Sequence, residues 1–261
     1  MTGPVLSFLG ETHCELGPAA DASGHPWRHG EADGIHWLVL DCEGSSVNTV
    51  SEQVLTGLDA ALDQIGTPRA LVIRSAKPAG FAAGADIDSF NDMRDQGAAA
   101  LLQQGHAVLD RLEALDCPTI AIVHGAALGA GVEIALACDH RIAIDGAKFG
   151  FPEVNLGLHP GLGGSFRLTG LIDPTEAMTL MLTGKSAHTA KAERLGIVDA
   201  VTEERHVAAA VAAIAEGEND RPEPGLKSRA FRIEAARSYA AGRMRSETEK
   251  KAPRAHYPAP Y

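Results

Sequence analysis

No two cysteines stand in a C-x-x-C arrangement: Cys14, Cys42, Cys117 and Cys138 are widely spaced. That spacing excludes a zinc knuckle and a dithiol redox pair, and favours a reducing, cytoplasmic setting. The sequence also lacks any uninterrupted apolar run of about 18 residues. Its opening, MTGPVLSFLGETHCELG, has no basic region ahead of an apolar stretch. Neither membrane insertion nor secretion is expected. Positive charge is short as well, with 23 Lys and Arg against 34 Asp and Glu and a formal net charge of -11. Broad binding to nucleic acid or to an anionic membrane needs a basic surface, so neither is expected. Two nucleophile or phosphate motifs are missing too. LTGKS supplies Gly184, Lys185 and Ser186, but Thr179 stands where a P-loop needs its first glycine. No G-x-S-x-G elbow surrounds Ser165.

What remains is the composition of an ordinary globular protein, 45% hydrophobic and 22% charged over 261 residues. That length suits one large domain, or a domain with an appendage. Residues 1–33 carry scattered Gly, Pro and His without periodicity and read as an irregular extension. Residues 34–220 read as the core. DGIHWLVLDCE, ALVIRS, TIAIVHG, HRIAID and IVDAV have the short apolar runs of strands. Between them, Val54, Leu58, Leu62 and Ile65 fall on one helical face, with Thr49 and Glu52 spaced for a capping box. Leu101, Leu102, Val108, Leu109, Leu112 and Leu115 fall on another, ending before Pro118. VEIALAC and segments near 174–183, 190–195 and 206–215 complete the helices. Strands alternating with helices imply an α/β fold with parallel pairing. Residues 221–261 form a third region, basic and helical, with ten Lys or Arg against four Glu between Arg221 and Arg254. Such a run is either a solvated helix face or a neighbour of a phosphate-bearing ligand. Its end, HYPAPY, reads as a linker.

The chemistry lies in the turns. HGAALGAGVEIALACD places Glu133 among glycines and aliphatic residues. A carboxyl there must be paired, protonated or employed, because burying it unpartnered is costly. GFAAGADI at 80–87 and FPEVNLGLHPGLGGSFRL at 151–168, which contains Glu153, are the other glycine-rich loops. Each alone is a common turn, and a lone helical glutamate is commonly salt-bridged or solvated.

Together, FAAGADI, GAGVEIALACD, PEVNLG and PGLGGSFRL resemble the enoyl-CoA hydratase/isomerase family, the crotonases, over roughly residues 34–215. HPGLGG and KKAPRAHYPAPY look like the amino-terminal hydratase part of the multifunctional fatty-acid oxidation α subunits. In those relatives a fused NAD-dependent 3-hydroxyacyl-CoA dehydrogenase domain follows, and the expectation here is the hydratase half without it. The resemblance implies a crotonase-type spiral of ββα units with a C-terminal helical segment, and hydration of trans-2-enoyl-CoA in β-oxidation. It assigns Glu133 as principal base toward water and Glu153 as principal proton donor to C2. It makes the backbone N–H groups of Ala85 and Ala130 an oxyanion hole, and places substrate contacts at Asn48, Ala83, Asp86, Ile87 and Gly129. Asp86 fits the cap of a following helix better than a substrate contact. Lys77 and the basic segment are candidates for the coenzyme A phosphates. His124, at the end of a strand, and His159 read as structural or loop-shaping. No metal or separate cofactor is implied, coenzyme A being part of the substrate. An acyl-CoA thioester is the expected partner, and a homo-oligomer is compatible with the family. The pattern departs from the family's usual triple glycine at GAG, where a required positive φ would strain Ala130, and at GGSFR in place of GGTQR. A Δ3,Δ2-enoyl-CoA isomerase, needing one carboxyl, and a non-catalytic acyl-CoA-binding module are the competing readings.

Overall fold

The structure is a computed structural model and describes residues 24–86 and 95–217. Strands β1 (Trp27–Ala32), β2 (Ile35–Leu40), β3 (Ala70–Ser75), β5 (Thr119–Val123), β7 (His140–Ile144) and β10 (Ala200–Thr202) form a six-stranded sheet in the order β1-β2-β3-β5-β7-β10. All its pairings are parallel except the β1–β2 hairpin. A smaller sheet, in the order β4-β6-β8-β9, is built from β4 (Gly80–Ala82), β6 (Ala126–Leu128), β8 (Lys148–Gly150) and β9 (Ser186–His188). Three successive turns of the chain run from a strand in the large sheet to a short strand in the small one, and then into a helix. Thus β3 and β4 lead to α2 (Asp95–Glu113), and β5 and β6 lead to α3 (Ala130–Ala137). β7 and β8 lead through a 3-10 turn (Pro152–Leu156) to α4 (Gly164–Leu171). This repetition is the expected spiral of ββα units.

Alternation along the large sheet explains its burial on both faces. Leu38, Leu40, Leu71, Ile73, Ala121 and Val123 enter the main core, whereas Trp37, Val39, Val72, Ile120 and Ile122 enter a second cluster. The main core is shared with α1 (Glu52–Leu62), α2 and α3; the second is closed by Val207, Val211 and Ile214 of α7 (Val207–Ala215). Each fully buried aliphatic side chain contributes about 1.5–3 kcal/mol. α5 (Pro174–Thr183) packs against α4 and the 3-10 turn, and α6 (Thr189–Leu195) against β9 and β10.

Three expectations are corrected. Residues 27–32, read within an irregular extension, form β1, because edge pairing and the Trp27 indole N–H donating to the Val54 carbonyl at 2.8 Å hold a segment with no apolar alternation. The helix cap is Ser51, whose hydroxyl accepts from Val54 N–H, and no capping box starts at Thr49. Val50 is extended at that point, bridged to Ala85, so helical geometry begins only after Ser51. The strand expected at IVDAV starts later, at Ala200, after Ile197 and Val198 have turned into the core. Residues 1–23 and the basic segment 221–261 lie outside the described residues. Among those described, no helix is long and apolar enough to cross a membrane.

Candidate active site

Helix α3 starts from a turn in which Gly129 has φ 49° and ψ -123°, a conformation that side-chain-bearing residues avoid. The positive φ thus falls on the glycine, and Ala130 enters the helix without one. The strain feared for the alanine of GAG does not arise. A Cβ added at Gly129 would sit 2.8 Å from Glu153 Oε1 and 3.6 Å from the Gly84 Cα. One turn therefore touches both the 84–85 loop and the Glu153 carboxyl.

Two main-chain donors lie on these neighbouring turns. Ala85 is bridged to Val50, with Val50 N–H donating to Gly84 O and Asp86 N–H to Val50 O, both at 2.8–3.0 Å. That register turns the Ala85 N–H away from Val50, and it has no acceptor among the described residues. Ala130, at the first position of α3, likewise has an N–H that the helix cannot satisfy. Ala130 is buried and Ala85 half-buried, and main-chain donors so placed seldom stay unpaired, so the pair marks a place for an acceptor atom. The dipole of α3 adds positive character there.

Glu133 is in the first turn of α3 and only 1% exposed. Its Oε1 accepts from Leu162 N–H and Gly164 N–H, each at 2.7 Å. Burial pushes its pKa up to about 7, opposed by these N–H groups and by the Arg167 cation, and reinforced by the nearby Glu153 charge. Glu153, in the 3-10 turn, is also raised by burial, against its own N–H and the charge of His159. Its Oε2 is buried with no hydrogen-bond partner among the described residues. Two carboxyls of raised proton affinity thus adjoin two unpaired N–H groups, an arrangement able to exchange protons beside a developing oxyanion.

The substrate candidates divide. Ala83 is exposed, but its N–H donates to Asn48 O at 2.8 Å. Asp86 is half-buried beside the Val50 bridge, and Ile87 lies outside the described residues. Asn48 is 1% exposed and faces the protein: Oδ1 accepts from Cys42 N–H, and Nδ2 lies 2.9 Å from both Leu40 O and Ser75 Oγ. Asn48→Ala should therefore lower folding stability by about 2–4 kcal/mol through the groups it leaves unpaired. Thermal denaturation checks this; an unchanged melting temperature with a raised KM would move Asn48 to the substrate instead. Lys77 forms an ion pair with Asp41 at 2.8 Å. His124 is buried, with Nε2 donating to Lys77 O at 2.7 Å, which fits a structural role. His159 Nδ1 lies 3.0 Å from Pro160 O.

Leu162, Gly164 and Arg167 were not singled out from sequence, although PGLGGSFRL contains them. A Cβ at Gly164 would lie 2.9 Å from Glu133 Cγ, so only glycine lets that N–H approach the carboxylate so closely. The dense glycines ahead of Arg167 were the available signal.

Comparison with known proteins follows the same line. The family model described as enoyl-CoA hydratase/isomerase matches residues 39–230. A fatty acid oxidation complex subunit alpha of Shewanella baltica (strain OS185) is 37% identical over 238 residues, covering 87% of this chain and 34% of the relative. One from Shewanella sp. (strain W3-18-1) is 43% identical over 175 residues, 65% of this chain and 25% of the relative. The chain thus spans about a third or less of the length of these relatives. Among solved structures, an enoyl-CoA hydratase of Geobacillus kaustophilus HTA426 superposes with a TM-score of 0.71 at 26% identity, covering 78% of this chain and 76% of that one. One from Bacillus anthracis gives 0.67 at 25% identity, with 92% and 90% covered.

Proposed function

Because the chain belongs to the enoyl-CoA hydratase/isomerase family, we propose that it is a hydratase adding water across the C2=C3 bond of trans-2-enoyl-CoA thioesters in β-oxidation. The observation that carries this reading is the contact of Glu153 with the Gly129 turn, two N–H donors and a second buried carboxyl being close at hand. The thioester oxygen accepts from Ala85 and Ala130 N–H, which stabilise the enolate that forms as C3 is attacked. One such donor is worth about 3 kcal/mol in related acyl chemistry. Water sits between the carboxyls. Glu133 takes a proton from it as its oxygen bonds to C3, and Glu153 delivers a proton to C2 as the enolate collapses. The pair ends with its proton moved from Glu153 to Glu133, and exchange through solvent restores the start.

The two carboxyls must be poised oppositely for this. Before substrate binds, burial favours a proton on Glu133. A bound thioester covers the open side of Glu153 and raises its proton affinity further, whereas Leu162 and Gly164 N–H continue to favour the Glu133 anion. Substrate binding thereby shifts the shared proton toward Glu153. The reaction changes no oxidation state, so carboxyls and amides supply what it needs without a metal or redox group. The free thiols at Cys42, Cys117 and Cys138 suit a reducing cytoplasmic setting.

Crotonyl-CoA mixed with the protein should lose its conjugated enoyl absorbance, with kcat/KM falling as pH rises above about 7, where the free enzyme loses the proton that Glu133 holds and the pair has none to pass to C2. Binding without spectral change would reduce the chain to an acyl-CoA-binding module. A rise in conjugated absorbance from a 3-enoyl-CoA, with crotonyl-CoA unchanged, would make it an isomerase.

A further inference from the structure

The Glu133 carboxylate owes its place to a loop, and that loop is itself held by one buried cation. Arg167, with a side chain 5% exposed, donates through Nη1 to the Leu162 carbonyl at 2.8 Å. Its Nη2 reaches Asp110 Oδ1 at 3.0 Å and Glu113 Oε2 at 2.8 Å on α2. The guanidinium lies directly against the turn, since a Cβ on Gly163 would come within 2.3 Å of Nη1. The Arg167 N–H closes the same turn by donating to Gly163 O at 2.9 Å. The residues on either side of Gly163 are the ones whose N–H groups, Leu162 and Gly164, bind Glu133 Oε1.

We infer that Arg167 is a positioning residue of this site: it ties the 162–164 turn to α2 and so fixes the two amides that aim the Glu133 carboxylate. A planar guanidinium can serve a carbonyl and two carboxylates at once, which an ammonium cannot do with the same directionality. The role rests on the hydratase reading for its catalytic meaning, though not for its structural content. The charged groups acting on Glu133 are Glu153 from the 3-10 turn and Arg167 from α4; on α2, Asp110 and Glu113 pair with Arg167 and His106 lies beside Gly163, while His159 acts on Glu153. Arg167 favours the Glu133 anion; Asp110 and Glu113 offset that cation.

The test follows the Glu133 carboxyl carbon by 13C NMR through a pH titration, its signal assigned by its absence in Glu133→Gln, alongside crotonyl-CoA kinetics. Arg167→Met should move the midpoint up by about one pH unit and lower kcat by roughly 10²-fold through misplacement, with KM little changed. Arg167→Lys should restore most of the midpoint, because the cation returns, but leave kcat low. Asp110→Asn combined with Glu113→Gln alters exposed partners, leaves Arg167 less compensated and should move the midpoint down. This pair keeps the test decisive if Arg167→Met does not fold. Midpoints unmoved in the folded variants, or Arg167→Met with wild-type kcat, overturn the inference. If the midpoints shift as stated while the wild-type protein leaves crotonyl-CoA unchanged, the hydratase reading fails and the positioning of Glu133 stands.

Discussion

Glu133→Gln should abolish nearly all hydration while making the folded protein more stable above neutral pH. The amide keeps an oxygen that can accept from Leu162 and Gly164 N–H, so the loop geometry survives. It cannot take a proton from water, and loss of a general base costs about 10²–10⁴-fold. The stability gain follows from linkage. In the unfolded chain the carboxyl titrates near its ordinary 4.5; in the folded one, burial raises it to about 7. The native state therefore holds a proton that the unfolded chain releases between these values. The relative stability conferred by the protonated form is complete below about 4.5, is lost as pH rises toward 7, and stays lost above it. The interval corresponds to about 3 kcal/mol. A neutral side chain escapes that penalty. Melting temperatures of the variant and the wild type should diverge by several degrees between pH 5 and pH 8, with the variant higher at pH 8. A difference constant across that range would mean that Glu133 is not held in the desolvated state described above.

Gly129→Ala should be nearly as damaging to turnover, and it should destabilise the fold. At φ 49° and ψ -123° an alanine is strained by about 1–3 kcal/mol. Its methyl carbon would also meet Glu153 Oε1 at 2.8 Å. Relief in either direction re-aims the Ala130 N–H or displaces Glu153, and under the proposed mechanism loss of one oxyanion-hole donor alone costs on the order of 10²–10³ in kcat. The expected result is a kcat lowered by at least 10²-fold together with a lower melting temperature. Wild-type kcat in this variant would show that the turn can relax without disturbing either group, and would remove the Gly129–Glu153 contact from the mechanism.

Most of the fold was legible because its signals are local. ALVIRS maps onto β3, and the apolar faces of α1 and α2 follow from helical spacing. β1 was not legible: WRHGEA has no apolar alternation, and its place depends on pairing with β2 and on Trp27 reaching Val54. The site divides the same way. Glu133 stands out as a carboxyl in apolar surroundings, and Glu153 through its motif. The donors that hold Glu133 come from 29 and 31 residues further along, and nothing in the spacing of HGAALGAGVE announces them. Asn48 illustrates the opposite limit. The resemblance placed Asn48 among the substrate contacts, and its side chain is taken up by Leu40, Ser75 and Cys42, a set of partners that no local spacing shows.

The spiral gives synthesis an order. Each ββα turn is added beside its predecessor, so the amide loops are laid down first, then Glu133, then Glu153, and the Leu162–Gly164 donors and Arg167 last. A nascent chain that has emerged only through α3 carries a carboxyl destined for the interior but lacking the amides that will receive it. The amides that receive that acid belong to residues 162 and 164, so the carboxyl cannot be held as described until α4 has been made.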